Sequence, residues 1–202
     1  MNQKSHWEHV YETKNPQEVS WTQEKPVHSL DLIKELNLPK NAKIIDIGGG
    51  DSNLVDYLLE LEFTDISVLD ISQKAIEKAK LRLGEKAKQV TWIVSDILGF
   101  KPEFEYDLWH DRAAFHFLTK ENDINHYKNL VENHANSHFI LATFSENGPL
   151  KCSGLEISQY SKEKLQILFS PIFFLNSSFT IDHKTPFQTK QNFIFANFSK
   201  LK

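Results

Sequence analysis

The chain of 202 residues is poor in cysteine and glycine and has no long apolar run. Its single cysteine, Cys152, excludes an internal disulfide, and a zinc site would need other ligands. No stretch approaches membrane-spanning length, and the first residues lack the apolar core of a signal peptide. We therefore expect a cytoplasmic protein without a membrane partner.

An excess of positive charge is also missing. The formal net charge is −4, so electrostatics does not favour nucleic acid as a partner. Hydrophobic residues make up 40% of the chain and charged residues 25%, which is ordinary for a soluble globular protein. We predict a single domain over residues 1–202, with a helical N-terminal segment over residues 1–40 and an α/β core over residues 41–202.

Three of the 7 glycines stand together at Gly48, Gly49 and Gly50. They follow a short apolar run over residues 43–47 and precede a helix-like pattern over residues 52–62. Glycine reaches positive φ cheaply and lets a ligand touch the main chain. A strand, a glycine turn and a helix in this order predict a site where bare backbone meets a nucleotide-like molecule.

The rest of the chain alternates strand-like and helix-like runs, which is typical of a doubly wound α/β fold with a parallel sheet. Two closing strands over residues 172–181 and 191–198 have no helix between them, so we expect an antiparallel terminal hairpin. The other predicted strands span residues 66–70, 90–94, 106–110 and 138–144, and the other predicted helices span residues 73–83, 123–134 and 161–168.

Acidic residues occur where strands end. Asp70 closes the second strand and can accept hydrogen bonds from both ribose hydroxyls of an adenosine, or it can cap the next helix, although Ser72 already offers a cap. Asp96 follows the third strand and can accept from an adenine amino group, with Ile97 against the ring, or cap a loop. Asp46 lies inside the first strand, where a buried charge needs a ligand ammonium, loop N–H groups or a structural partner.

The fourth predicted strand ends in a dense polar run. His110, Asp111 and Arg112 fall where parallel strands place ligands, and we predict that they are catalytic residues. His110 could orient or deprotonate a substrate, and Arg112 could bind a carboxylate through two hydrogen bonds or pair with Asp111. Because the spacing of His110, Asp111 and His116 is irregular for a metal site, we predict no metal.

Three further segments surround this predicted site. Trp7 and Tyr11 share a helix face, and we predict that Tyr11 and Trp21 lie over the cofactor or substrate as a lid. The polar loop over residues 144–155 follows the fifth strand and suits a substrate mouth, while its Cys152 has no His–Asp partner in sequence for nucleophilic catalysis. His183 is expected in the link between the last two strands, either within a hydrogen-bonded turn or at the substrate rim.

At this point the chain resembles the class I S-adenosylmethionine-dependent methyltransferases. The resemblance rests on Asp46-Ile-Gly-Gly-Gly50, on Asp70 and Asp96, and on the terminal hairpin. The chain is also similar to a group of small bacterial methyltransferases through further motifs, with one departure at Phe187-Gln188, where that group tends to have Trp and Gly. These motifs are Trp7, Tyr11, Val19-Ser-Trp21, Trp109-His-Asp-Arg112, Phe115-His-Phe-Leu118, Cys152-Ser-Gly-Leu155 and the His183 to Gln191 turn.

The resemblance implies a Rossmann-like, seven-stranded sheet of order 3-2-1-4-5-7-6 with the last strand antiparallel and helices on both faces. It implies S-adenosyl-L-methionine as cofactor, with the glycine turn at its methionine part, Asp70 at the ribose, Asp96 and Ile97 at the adenine, and His110 near the methionine end or the transferred methyl. The complete expected cofactor set is Trp21, Asp46, Gly48, Gly49, Gly50, Asp70, Ile71, Asp96, Ile97 and His110.

The expected reaction is methyl transfer to an N, O or S atom by in-line displacement, which needs alignment more than a strong base. A small-molecule acceptor is favoured over a protein side chain, and the motifs reveal neither the acceptor nor the oligomeric state. Two alternatives stay open. An NAD(P)-dependent oxidoreductase shares the strand, turn and ribose acid, although Asn53 replaces its third glycine and it lacks the hairpin. A non-catalytic S-adenosylmethionine-binding protein would keep the turn without a reacting site.

Overall fold

The computed structural model describes residues 2–201 and contains one seven-stranded sheet with six helices around it. The strands are β1 Lys43–Ile47, β2 Asp65–Asp70, β3 Val90–Val94, β4 Tyr106–Arg112, β5 Ala135–Phe144, β6 Phe173–Lys184 and β7 Lys190–Lys200. The helices are α1 Gln3–Thr13, α2 Val27–Glu35, α3 Leu54–Glu60, α4 Gln73–Leu83, α5 Glu121–His134 and α6 Lys162–Phe169.

The strand order across the sheet is β3-β2-β1-β4-β5-β7-β6. The first five strands run parallel, and β7 runs antiparallel to both β5 and β6. Because only residues 185–189 join β6 to β7, the two strands can pair only as an antiparallel hairpin. The predicted fold class, strand order and hairpin are confirmed. A separate ribbon of two short strands, Lys151–Cys152 and Leu155–Glu156, follows β5.

Two hydrophobic clusters cover the two faces of the sheet. One contains residues of α2 and α3, such as Leu30 and Leu58, packed with Leu108 of β4. The other contains residues of α5 and α6, such as Tyr127, packed with Trp109 of β4. Since neighbouring residues of a strand point to opposite faces, β4 divides its side chains between the two clusters.

Several boundaries differ from the predicted ones. The helix predicted over residues 52–62 begins at Leu54, because the Ser52 hydroxyl accepts a hydrogen bond from the Leu54 N–H and holds a turn there. Strand β4 extends two residues beyond its predicted end, to Arg112, because β1 and β5 pair with it on both sides. Strand β6 likewise continues to Lys184, so His183 lies in a strand opposite Gln191 and not in the link.

Candidate functional site

The glycine turn packs too closely for side chains. Gly48 has φ +69°, and a Cβ there would lie 2.8 Å from the Ala114 Cβ. A Cβ on Gly49 would lie 2.2 Å from an oxygen of Asp46, and one on Gly50 would lie 2.6 Å from Asp70 Oδ2. The turn therefore presents main chain, and only its first glycine lines the pocket described next.

The main pocket opens at the carboxyl ends of β1 to β4, beneath helix α1. It contains about 760 Å³ of space between atoms, including the part open to solvent. Its lining comes from both the core and the N-terminal segment. The lining residues are Gln3, Trp7, Tyr11, Trp21, Ile47, Gly48, Leu69, Asp70, Ile71, Ser95, Asp96, Ile97, Arg112, Ala113, Ala114, Phe117, Leu118 and Cys152.

Two carboxylates line this pocket. Asp70 accepts hydrogen bonds from the Gly50 N–H (3.0 Å) and the Ser72 N–H (2.8 Å), and burial raises the pKa of its carboxyl to about 6. Asp96 accepts from the Leu98 N–H at 3.0 Å and so begins a short 3-10 turn. Since a carboxylate offers about four acceptor positions, each side chain is fixed by the backbone and can still accept hydrogen bonds from a ligand.

An aromatic roof closes the pocket from above. The Trp7 ring of α1 meets the Trp21 and Phe117 rings edge to face, at centroid distances of 5.4 and 5.1 Å. Tyr11 is buried beside Trp21. The large apolar area of these rings excludes water from whatever the pocket holds.

Helix α1 is held over the core by a single carboxylate. Glu8 accepts hydrogen bonds from the Gln73 N–H (2.8 Å), the Lys74 N–H (3.1 Å) and the Ser72 hydroxyl (2.9 Å), all at the start of α4. Partial burial raises the pKa of Glu8, but these hydrogen bonds outweigh it and lower the pKa overall. A negative charge at a helix N-terminus is stabilising, so Glu8 acts as a clamp for the roof.

A second attachment involves Asn53, which stands where a dinucleotide fingerprint would have its third glycine. Its side-chain amide donates to the carbonyl oxygens of Gln23 (3.1 Å) and Glu24 (3.0 Å). The residue therefore joins the glycine-turn loop to the N-terminal segment.

His110 does not line the pocket. It points to the α2 and α3 face, where its Nδ1 donates to Asp46 Oδ1 at 2.7 Å and its Nε2 lies 2.9 Å from the Ser29 hydroxyl. All three side chains are buried. Both ring nitrogens therefore have protein partners, and Asp46 sits beneath the glycine turn rather than in the pocket.

Asp111 points to the opposite face and also lies away from the pocket. It accepts from the Tyr127 hydroxyl at 2.7 Å and from the N–H groups of Ala114 (3.1 Å) and Phe115 (3.2 Å). Burial raises the pKa of its carboxyl to about 6. It fixes the turn after β4, where Ala113 adopts φ +71° in the pocket wall. A structural Arg112–Asp111 pair is excluded, because the two side chains have different partners.

Arg112 is the residue of this triplet that reaches the pocket. Its Nη1 donates to the Trp21 carbonyl at 3.0 Å, and its guanidinium lies 5.0 Å from the centre of the Phe193 ring. Burial lowers the pKa of the guanidinium to about 10. Its Nε and Nη2 are shut off from solvent and meet no hydrogen-bond acceptor among residues 2–201.

Residues from distant segments gather around Arg112. His183 donates to the Ser20 carbonyl at 2.8 Å, and Gln191 donates to the Ser20 hydroxyl at 3.2 Å. Burial raises the pKa of the Cys152 thiol to about 11, which leaves it a thiol rather than a nucleophilic thiolate at neutral pH. His116 stacks on Phe144, and burial followed by the charge of Arg112 lowers its pKa to about 3, so it is neutral.

The structure thus brings together seven of the predicted site residues in the pocket wall: Trp21, Gly48, Asp70, Ile71, Asp96, Ile97 and Arg112. It places Asp46, Gly49, Gly50, His110 and Asp111 behind that wall. Residues that sequence reasoning did not assign to the site include Ala113, Ala114, Phe117 and Glu8. Of these, only Phe117 carried a signal, as an aromatic residue just beyond the polar end of β4.

Residues 2–201 contain neither a metal-binding cluster nor a membrane-spanning helix. No group of three or more His, Cys, Asp or Glu side chains could hold a metal ion there. No helix in that range is long and apolar enough to cross a membrane.

Comparison with known proteins agrees with this architecture. Residues 45–138 match the family model described as a methyltransferase domain. An S-adenosylmethionine-dependent methyltransferase from Anabaena variabilis has the same fold, with a TM-score of 0.74 and 16% identity over 100% of this chain and 96% of that chain. The protein has a class I methyltransferase fold.

Two further proteins are similar to the chain over different extents. The 1,6-didemethyltoxoflavin-N1-methyltransferase of Burkholderia thailandensis has a TM-score of 0.73 at 15% identity, over 98% of this chain and 87% of that chain. The malonyl-[acyl-carrier protein] O-methyltransferase 1 of Ilyobacter polytropus is 30% identical over 95 residues. That match covers 46% of this chain and 35% of the relative, so the chain spans about a third of the relative's length.

Proposed function

We propose that the protein is an S-adenosylmethionine-dependent methyltransferase that methylates an N, O or S atom of a small molecule. The observation that carries the proposal is the main pocket, where Gly48, Asp70 and Asp96 meet under an aromatic roof. Gly48 lines the pocket with main chain, because it has no side chain of its own. Asp70 and Asp96 offer acceptors at the ends of consecutive strands. These groups match the methionine, ribose and adenine parts of this cofactor in the order in which they are joined.

In this proposal the chain's own residues bind, orient and exclude water. Asp70 accepts from the ribose hydroxyls, and Ile71, Asp96 and Ile97 surround the adenine. Gly48 approaches the methionine part. When bound, S-adenosylmethionine supplies a methyl group attached to positively charged sulfur. Trp21 and the rest of the roof then separate that methyl group from bulk water, which would compete as a nucleophile.

We also propose that the protein supplies no general base. The titratable groups in the pocket wall are Tyr11, Asp70, Asp96, Arg112 and Cys152. Burial raises the pKa of both the Tyr11 hydroxyl and the Cys152 thiol, so both keep their protons at neutral pH, and the carboxylates of Asp70 and Asp96 are occupied as the proposed ribose and adenine contacts. An acceptor that is already nucleophilic suits such a site, because alignment alone then supports the transfer. His110 acts instead as a positioning residue for Asp46 beneath the glycine turn.

A small acceptor is preferred because the N-terminal segment roofs the pocket. A protein side chain would have to pass beneath the clamp formed by Glu8 and α4. The N1-methyltransferase of Burkholderia thailandensis, with its bound 1,6-didemethyltoxoflavin, is a relative in fold whose acceptor is a small molecule. The formal net charge of −4 disfavours nucleic acid.

The test is direct ligand binding followed by turnover. Mass spectrometry of the protein as purified identifies any retained ligand, and calorimetric titration compares S-adenosylmethionine, S-adenosylhomocysteine and NADH. We expect both sulfur-containing nucleosides to bind and NADH not to bind. Binding of NADH alone would replace the proposal with an oxidoreductase. Binding of S-adenosylmethionine without release of S-adenosylhomocysteine for any acceptor class would indicate a non-catalytic binding protein.

A further inference from the structure

In the polar cluster around Arg112, one edge of the guanidinium has no hydrogen-bond partner in residues 2–201. The guanidinium carries two N–H groups, on Nε and Nη2, that are shut off from solvent and bind no acceptor among residues 2–201. The charge of the Asp46 carboxylate acts on the guanidinium, but this carboxylate hydrogen-bonds to His110 through Oδ1, its Oδ2 has no partner within the same range, and no hydrogen bond joins it to Arg112, while Asp111 points to the other face of the sheet. A desolvated cation without a partner is costly, which is why such groups occur where an anion binds.

The two unmatched N–H groups have a specific geometry. In a guanidinium, the Nε–H and the Nη2 amine lie on one edge, and this edge forms a planar fork that matches the two oxygens of a carboxylate. The remaining amine, Nη1, is already bound to the Trp21 carbonyl at 3.0 Å. The Phe193 ring lies against the guanidinium at 5.0 Å. These contacts fix the orientation of the fork, so it is preorganised rather than free to search for a partner.

The position of the fork indicates the acceptor rather than the cofactor. Its direct contacts, Trp21 and Phe193, and the nearby Ser20, Cys152, His183 and Gln191 lie outside residues 45–138, which match the methyltransferase-domain family model, whereas Asp46 and His116, which also lie close to it, fall within that match. Asp70 and Asp96, the proposed ribose and adenine contacts, lie within that match. The two direct contacts of the guanidinium, Trp21 and Phe193, therefore come from the segments that flank the match.

We infer that the methyl acceptor is a small carboxylate-bearing molecule whose carboxylate is bound by the Nε and Nη2 edge of Arg112. The inference rests on the proposed function and adds a substrate class to it. The aromatic side chains of Trp7, Trp21 and Phe117 face the same pocket and can hold an apolar part of such an acid. The acceptor then brings the two oxygen atoms that residues 2–201 do not supply to the Nε and Nη2 edge.

The experiment measures whether this pocket prefers acids to their neutral isosteres. Protein saturated with S-adenosylhomocysteine is titrated with acetate, benzoate and 3-phenylpropionate, each beside its amide, and binding is followed by the fluorescence of Trp7 and Trp21. We expect at least one acid to bind about tenfold or more tightly than its amide, as bidentate charge-assisted hydrogen bonds require. If no pair shows a preference for the acid, the inference is overturned.

Variants connect that preference to Arg112. Arg112→Gln should abolish it, and Arg112→Lys should keep only part of it, because an ammonium is not a planar fork. Lys151→Gln is the matched control, since it removes one exposed positive charge from the adjacent ribbon and should leave the preference intact. Circular dichroism checks that each variant is folded. A preference that survives in Arg112→Gln would overturn the assignment.

A second arm separates the acceptor from the carboxylate of the cofactor. 5′-Methylthioadenosine lacks the amino-acid part of S-adenosylhomocysteine, so Arg112→Gln should change the binding of both nucleosides by the same factor. If the variant weakens S-adenosylhomocysteine about tenfold or more and leaves 5′-methylthioadenosine unchanged, the fork belongs to the cofactor and the inference fails. If the wild type binds neither nucleoside, the proposed function itself fails, and this is seen before any acid is added.

Discussion

Replacing Asp70 with asparagine should separate stability from cofactor binding. The two oxygens of Asp70 accept from two different backbone donors, the Gly50 N–H and the Ser72 N–H. An asparagine of the same shape keeps one acceptor and turns an amine toward the other donor. The substitution therefore removes one buried hydrogen bond and one buried charge without changing the packing of the turn.

These two losses have opposite effects on the free energy of unfolding. Burial raises the pKa of Asp70 from 3.8 to about 6, so above pH 6 the charged form costs the folded state about 3 kcal/mol, which asparagine avoids. A buried N–H left without an acceptor costs about 1–3 kcal/mol. Because the two contributions are similar in size, the free energy of unfolding at pH 8 should change by less than about 2 kcal/mol.

The effect on binding has no such compensation. A ribose hydroxyl that donates to an ionised carboxylate makes a charge-assisted hydrogen bond, and its loss should weaken S-adenosylhomocysteine by about 10- to 100-fold. The wild-type affinity should be constant above pH 7 and fall below about pH 6, since protonation of Asp70 removes the charge. Asp70→Asn should lose that pH dependence.

Calorimetric titration from pH 5 to pH 8 measures both effects, and urea unfolding at pH 8 measures the stability. Asp65→Asn is the control, because Asp65 opens the same strand at the end away from the pocket. An Asp70→Asn protein that binds S-adenosylhomocysteine as tightly as the wild type, with the stability unchanged, would refute the assignment of Asp70 to the ribose.

Three further predictions follow from the same structure. Gly50→Ala brings a Cβ to 2.6 Å from an oxygen of Asp70, so it should destabilise the fold by about 1–3 kcal/mol in urea unfolding and weaken cofactor binding in calorimetry. Gly99→Ala is the control and should do neither, because a Cβ there would have nothing within 4 Å. Glu8→Ala should speed proteolysis of α1 while the free energy of unfolding changes by less than about 1 kcal/mol, and the exposed Glu12→Ala should change neither. His110→Ala leaves the Asp46 carboxylate buried without its partner and should lower the free energy of unfolding by about 3 kcal/mol. The pH profile of kcat/KM should keep its shape. If the variant loses one limb of that profile, His110 is a general base after all.

Much of the fold could be predicted from the sequence because its signals are local. The order of strands and helices follows from alternating apolar periods, and the glycine turn, Asp70 and Asp96 stand at strand ends where the chain must turn. The end of β4 could not be placed in this way. Its last residues are polar, and polar residues after an apolar run indicate a loop, yet β1 and β5 hold them in an extended conformation from both sides.

That two-residue extension changes the roles of His110, Asp111 and Arg112. As loop residues they would have formed one catalytic cluster, but in a strand they alternate between faces. The partner of His110 in α2 is 81 residues away in sequence, and the partner of Asp111 in α5 is 16 residues away. Hydrogen bonds over such separations leave no local pattern, so the sequence indicated polar chemistry here and the fold decided which residue reaches the pocket.

The attachment of the N-terminal segment explains why it could be recognised as a lid but not positioned. Besides the bonds to the side chains of Glu8 and Ser20, the core holds it through hydrogen bonds that core side chains donate to backbone carbonyls of the segment, and a carbonyl has no sequence signature. Its donors are the side chains of Lys78, Asn53, Arg112 and His183, which bind the carbonyls of Lys14, Gln23, Glu24, Trp21 and Ser20. Because Arg112 is one of these donors, a carboxylate on its free edge would be bound by the same guanidinium that holds the roof. Substitution of Arg112 should therefore loosen Trp21 as well as the acid, whereas substitution of Lys78 should loosen the segment alone.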